Sequence, residues 1–193
     1  MYTIKKSVNT SIEIKKSIFI GFLYKVHTKD DIDKCLSDIK EKYKDATHYC
    51  YAYIIDNSKK ASDDNEPSGT AGIVIMDVLE KRKLNYILCV VVRYFGGIKL
   101  GAGGLIRAYS KISRNVSDLA EIIELVDGYL VQVTASYNNI KRLDYLVKSC
   151  TILNKTFEKD VCYTVLVDKK KFEELKEFNV KILDSVKIEK EKL

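Results

Sequence analysis

Long apolar runs are missing from this 193-residue chain: no stretch approaches the ~18 consecutive apolar residues that a membrane span requires. The opening MYTIKKSVNT lacks the apolar core and small-residue cleavage site of a secretory signal, so the expectation is a cytoplasmic protein with no membrane partner. Proline is almost absent, Pro67 being the single example, and no Gly/Pro-rich linker or internal repeat divides the chain. Paired cysteines are lacking too. Cys35, Cys50, Cys89, Cys150 and Cys162 are odd in number, scattered and set in apolar segments, and read as reduced core thiols rather than a disulfide framework. Strong charge of either sign is also wanting, because the net +6 divides into +3 for residues 1–127 and +3 for 128–193. That balance permits nucleic-acid binding without requiring it, which leaves local clustering to decide. What is present is ordinary globular composition, 46% hydrophobic and 31% charged, enough to bury a core without staples.

Patterning predicts an α+β protein of two domains, 1–127 and 128–193, with the boundary set by change of pattern alone. Segments 2–8 and 13–26 are rich in β-branched and aromatic residues, the second reading as one half-buried strand with Ile14, Ile18, Ile20 and Phe22 on one face, and predict an opening hairpin or meander. Thr28 followed by Asp31 resembles a capping box, and Ile32, Cys35, Leu36, Ile39 and Tyr43 then repeat at helical spacing. HYCYAYII predicts a strand with His48, Cys50, Ala52 and Ile54 on one face and the tyrosines on the other. A polar loop, residues 56–67, leads to a helix expected from Ser68, whose hydroxyl suits a cap. Residues 87–95 form an apolar strand of the kind buried on both faces, followed by a helix near Gly103 or Gly104 with Leu105, Ile106, Tyr109, Ile112, Val116 and Leu119 inward. Beyond 127 the pattern reads strand, helix, strand, strand, helix, strand, the split βαβ order of a ferredoxin-like domain. Lys169–Lys171 at the start of its second helix oppose the dipole, a misfit suited either to an external partner or to solubility.

Two segments carry the chemistry. In SDDNEPSGTAG, the carboxylates of Asp63, Asp64 and Glu66 precede a helix start at which Ser68, Gly69, Thr70, Ala71 and Gly72 leave backbone N–H groups lightly covered. Those carboxylates could hold a metal ion, cap helix amides or pair with a partner's arginines. In RYFGGIKLGAGGLIRAYS, Gly96, Gly97, Gly101, Gly103 and Gly104 make a strand-to-helix turn with exposed donors, a geometry suited to phosphate, flanked by Arg93, Lys99 and Arg107. The spacing matches neither the dinucleotide-binding nor the P-loop pattern, and the glycines could serve tight turns alone. Arg107, Lys111 and Arg114 form a basic stripe at helical spacing, which could track a phosphate backbone or be a solvated face. His48 is a possible site member or a hydrogen-bonded core histidine.

At these residues the chain resembles the IMPACT/YigZ family: HYCYAYII, SDDNEPSGTAG and VVVRYFGGIKLGAGGLIRAYS look like its signature. One departure is Asn65, where the family usually has glycine; asparagine is the side chain best able to take a left-handed conformation, so the loop shape is expected to survive. The resemblance implies a first domain like the βαβ fold of GHMP kinases and part of a small-subunit ribosomal protein. It implies a ferredoxin-like second domain like the C-terminal domain of elongation factor G. Both likenesses point toward RNA or the translation machinery, and the leading expectation is a non-catalytic binding protein that regulates translation through RNA, the ribosome or a translation factor, with no cofactor, no resident metal and no catalytic residue. The competing expectation is a phosphate-ligand enzyme, either kinase-like on the 96–104 turn or a hydrolase built on residues 63–66 with His48. No second histidine accompanies those carboxylates, as a hydrolytic metal site would lead one to expect.

Overall fold

The structure is a computed structural model describing residues 1–190, and the chain divides after Ile123 into two compact units. The boundary falls inside a strand, β7 (Ile122–Ala135), and differs from the pattern-based 127/128 division by residues 124–127 at the opening of that strand.

In the first unit the elements run β1 (Tyr2–Ile4), β2 (Val8–Ile14), β3 (Ser17–Lys25), α1 (Lys29–Lys42), β4 (His48–Ile55), β5 (Ser58–Ser62), α2 (Gly72–Lys81), β6 (Ile87–Tyr94) and α3 (Ala102–Asp118). Strands β2-β3-β6-β4-β5 make one antiparallel sheet. Its middle strand, β6, is buried from Ile87 through Arg93, as its unbroken apolar sequence requires. Helix α1 covers one face through Ile32 and Ile39 against Phe22, Tyr53, Leu88 and Val90. Helices α2 and α3 cover the other through Ile75, Leu79, Tyr109 and Ile112 against Phe19, Leu23, Cys50 and Ala52. The alternation of HYCYAYII thus separates two apolar layers. Thr28 and Asp31 form the expected capping box at the start of α1.

Four expectations are corrected. The segment 13–26 is not one strand: Lys15 and Lys16 adopt left-handed conformations (φ 47° and 63°) and turn β2 back onto β3, a two-residue hairpin that lysines do not advertise. The polar stretch 56–67 contains β5, an edge strand whose exposed Lys59 and Lys60 hide its β character while blunting the edge. Helix α2 starts at Gly72 rather than Ser68, and Ser68 caps nothing. On α3, Ile106 and Leu119 are exposed, while Ala108 joins Leu105, Tyr109, Ile112 and Val116 inside.

The second unit continues β7 with a 3₁₀ turn (Tyr137–Asn139), α4 (Ile140–Val147), β8 (Thr151–Phe157), β9 (Val161–Asp168), α5 (Lys169–Leu175) and β10 (Asn179–Lys190). Its strands pair antiparallel in the order β8-β9-β7-β10. Val161, Tyr163, Val165 and Val167 alternate inward along β9 and meet Leu143, Val147 and Leu175 from the helices. Asp168 accepts the Lys171 amide and offsets the unfavourable cations at the start of α5; Lys169 pairs with Asp127 and Lys171 with Glu174.

Candidate functional site

Antiparallel pairing of β4 and β6 sets His48 directly opposite Arg93. The loop after β5 then lays Glu66 against both. Arg93 Nη1 donates to Glu66 Oε1 at 2.5 Å, and Tyr109 Oη on α3 donates to the same oxygen at 2.8 Å. The Arg93 and Glu66 side chains are 6% and 2% exposed, so the pair is a buried one, held between charge attraction and a large desolvation cost. The guanidinium also stacks over the rings of Phe19 and Phe95, at 5.3 and 5.6 Å from their centroids. Its Nε has no hydrogen-bond partner among the described residues.

His48 Nδ1 lies 2.8 Å from the Asp64 carbonyl oxygen. A carbonyl only accepts, so Nδ1 carries a proton; in the neutral ring Nε2 is then an acceptor, and in the charged ring a second donor. That nitrogen lies 3.9 Å from Glu66 Oε2. Cys50 Sγ donates to the Asp63 carbonyl oxygen at 3.0 Å and lies 3.3 Å from Tyr109 Oη. Burial pushes the Cys50 thiol up to about 12, and burial with Cys50 and Glu66 nearby drives the Tyr109 hydroxyl far above the phenolic range. Neither group ionises at neutral pH, so neither is a ready nucleophile.

The acidic loop spends its charges at home. Asp63 Oδ2 accepts the Gly69 amide at 2.9 Å, and Oδ1 accepts those of Ala71 at 3.0 Å and Gly72 at 2.8 Å. Burial works to raise this carboxyl, but the three amide bonds outweigh it and hold Asp63 below the usual carboxylate range. Asp64 Oδ2 accepts the Tyr49 amide at 2.6 Å. Thr70 Oγ1 donates to the Pro67 carbonyl oxygen at 2.6 Å, and Ser68 is exposed. Of the three roles open to the carboxylates, helix capping is the one Asp63 performs. The 69–72 amides are therefore not part of an open anion-receiving surface. Asp64 and Asn65 are both left-handed (φ 42° and 66°), so asparagine does hold the loop shape expected of it.

Helix α3 is different. Its N-cap, Gly101, has φ 70°, no side chain caps its first turn, and Gly101, Ala102 and Gly103 are exposed. Gly97 is also left-handed, and a Cβ at either Gly97 or Gly101 would meet nothing, so backbone conformation rather than crowding selects glycine there. Gly96 serves packing instead: a Cβ there would lie 2.0 Å from the Lys16 backbone. At Gly103 the nearest atom to an added Cβ is Arg107 Nη1, 3.6 Å away, and at Gly104 it is Leu100 Cβ at 3.0 Å.

A cavity of about 430 Å³ opens between these parts, lined by His48, Glu66, Arg93, Lys99 and Gly101 among the residues singled out from sequence. Thr47, Pro67, Phe95, Leu100, Ala102 and Leu105 complete its wall. Phe95, 45% exposed just before the glycine run, was the legible signal among them. Asp63, Asp64, Ser68, Gly69, Thr70, Gly96, Gly97, Gly103, Gly104, Arg107, Lys111 and Arg114 do not line it. Arg107, Lys111 and Arg114 lie exposed along α3, with Arg114 Nε donating to the Ser110 carbonyl oxygen. Among the described residues no group of three or more His, Cys, Asp or Glu side chains is placed to hold a metal ion, and no helix is long and apolar enough to cross a membrane.

The Impact N-terminal domain family model matches residues 15–117. The IMPACT family member YvyE of Bacillus subtilis (strain 168) is 39% identical over 184 residues, covering 92% of this chain and 82% of that protein. The IMPACT family member YigZ of Escherichia coli (strain K12) is 31% identical over 181 residues, covering 89% and 86%. The crystal structure of a hypothetical protein superposes with a TM-score of 0.65 at 27% identity, covering 94% of this chain and 95% of that one. The signature residues first seen in β4, the acidic loop and the turn into α3 all lie within the matched segment, and the chain belongs to the IMPACT family.

Proposed function

We propose that this protein is a non-catalytic binding module that regulates translation by contacting RNA through the N-terminal turn and exposed face of α3. The observation that carries the proposal is the charge state of that face. Lys99, Arg107 and Lys111 are exposed and have no acidic partner among the described residues, whereas Arg82 pairs with Asp118 and Lys59 with Glu80 on the same unit. Unpaired cations on the helix that also presents a free N-terminus suit a phosphate backbone better than an apolar or acidic protein surface. The strand order of the second unit supports reading it as the ferredoxin-like module compared with elongation factor G. The first-domain likeness to GHMP kinases and a ribosomal protein that the family resemblance implies would point the same way, although fold alone does not fix function. The hydrolase alternative is weakened, because Asp63 and Asp64 are committed to backbone amides and only Glu66 Oε2 is left beside His48.

The test is co-sedimentation with ribosomes and anisotropy of labelled single-stranded RNA over a salt series. Replacing Lys99, Arg107 and Lys111 by alanine should weaken association and flatten the slope of log K against log salt by about 2, at ~0.7 per lost phosphate contact on single strands. An unchanged slope would refute the proposal. Capture of a translation factor that survives nuclease treatment would replace RNA by a protein partner. A rise in melting temperature with ATP and magnesium alone would favour the kinase-like alternative.

A further inference from the structure

The cavity beside α3 has wall chemistry that a cationic surface alone does not call for. We propose that it is a pocket for one nucleotide unit of single-stranded RNA, with phosphate at the N-terminus of α3 and Lys99, and the base against Phe95 with its amino edge toward Glu66 and His48. This rests on the RNA reading above and gives it a specific contact.

Five observations carry it. A volume of about 430 Å³ lies within the ~300–1,000 Å³ range of small-molecule pockets. The first turn of α3 is uncapped, Gly101 and Ala102 line the cavity, and Lys99 adds positive charge. In the wall, the Arg93 guanidinium, 6% exposed, adds positive charge beside Glu66, its Nε buried without a partner among the described residues. The wall also holds Glu66 and His48. Glu66 Oε1 already takes Arg93 and Tyr109, whereas Oε2 lies 3.9 Å from His48 Nε2, which in the neutral ring is itself an acceptor because Nδ1–H serves the Asp64 carbonyl oxygen. Acceptors side by side call for a ligand that donates. The exocyclic amino groups of adenine and cytosine do so, and inorganic phosphate at neutral pH offers little. The 45%-exposed ring of Phe95, also in the wall, offers a stacking surface of the sort single strands use.

The experiment compares 5′-AMP, CMP, UMP, adenosine and inorganic phosphate as competitors against labelled oligo(A) on the wild-type chain, on Ala102→Glu and on Phe95→Ala. Ala102 is the exposed first residue of α3. A carboxylate there favours the helix dipole but places negative charge at the phosphate end. Ala102→Glu is therefore expected to keep or raise the melting temperature while weakening AMP at least tenfold, and Phe95→Ala to weaken it about tenfold. AMP and CMP should compete better than UMP, which presents a carbonyl where they present an amino group. Adenosine and phosphate alone should compete poorly. If both variants bind AMP and oligo(A) like the wild type, the pocket assignment is overturned, and the separate loss in the Lys99, Arg107 and Lys111 variant still reports whether RNA binds α3. Binding of AMP by a chain that does not bind oligo(A) would overturn the RNA source and assign the pocket to a free nucleotide.

Discussion

Replacing Asp63 isolates the device that closes the N-terminus of α2. Asp63→Ala removes a carboxylate that accepts from Gly69, Ala71 and Gly72. Gly69 is exposed and its amide can turn to water; Ala71 and Gly72 are buried, so their amides lose their partner outright. At roughly 1–3 kcal/mol per buried group left unsatisfied, the expected cost is about 3 kcal/mol. At ~3 °C per kcal/mol for a chain of this size, that is a fall of about 9 °C in melting temperature. Asp63→Asn keeps one oxygen for Ala71 and Gly72 and should cost about 1 kcal/mol, the range of an ordinary cap. Because the folded carboxyl sits below its ordinary value, its stabilisation is fully present above the unfolded value, near pH ~3.9, and is lost as pH falls through the folded one. The gap between wild type and Asp63→Ala should therefore narrow below pH ~3.9 and stay constant above pH ~5. Circular dichroism melts at pH 7 and at pH 3.5 read both effects. An alanine variant no less stable than the asparagine variant would show that these amides do not need Asp63.

Other substitutions probe the same unit. Arg93→Met leaves Glu66 buried with only Tyr109 and should cost about 3–5 kcal/mol in urea unfolding, with most of it recovered when Glu66→Leu is added. Gly96→Ala should destabilise strongly, since a Cβ would lie 2.0 Å from the Lys16 backbone. Gly103→Ala, with 3.6 Å to spare, should stabilise α3 by about 0.5–1 kcal/mol in the same assay. Burial holds the Cys50 and Cys89 thiols near 12, so brief iodoacetamide treatment at pH 7.5 should leave both unmodified in intact-protein mass spectra and peptide maps until the chain is unfolded.

The elements whose signal is local were legible in advance. The Thr28–Asp31 capping box, the two-faced β4 and the all-apolar β6 are encoded by residues a few positions apart, and local chemistry is what sequence periodicity reports. The misses have equally local causes. Lys15 and Lys16 carry no turn signature, and β5 is too polar to read as a strand. The start of α2 was misplaced because Ser68 looked like its cap, whereas the cap is Asp63, eight residues before Ala71 and brought back by the turn at Asp64 and Asn65.

For the site, the sequence by itself determined which groups are available: three carboxylates, a glycine-rich entry to α3 with Lys99, and a single histidine at the head of β4. Only the tertiary structure decided their partners. Strand register sets His48 opposite Arg93, burial forces Glu66 onto Arg93 and Tyr109, and Asp63 occupies the α2 amides while those of α3 stay open. The physical reason is that a buried charge or amide must find its complement wherever the fold brings one within ~3 Å, and that distance is not written in the spacing of residues along the chain.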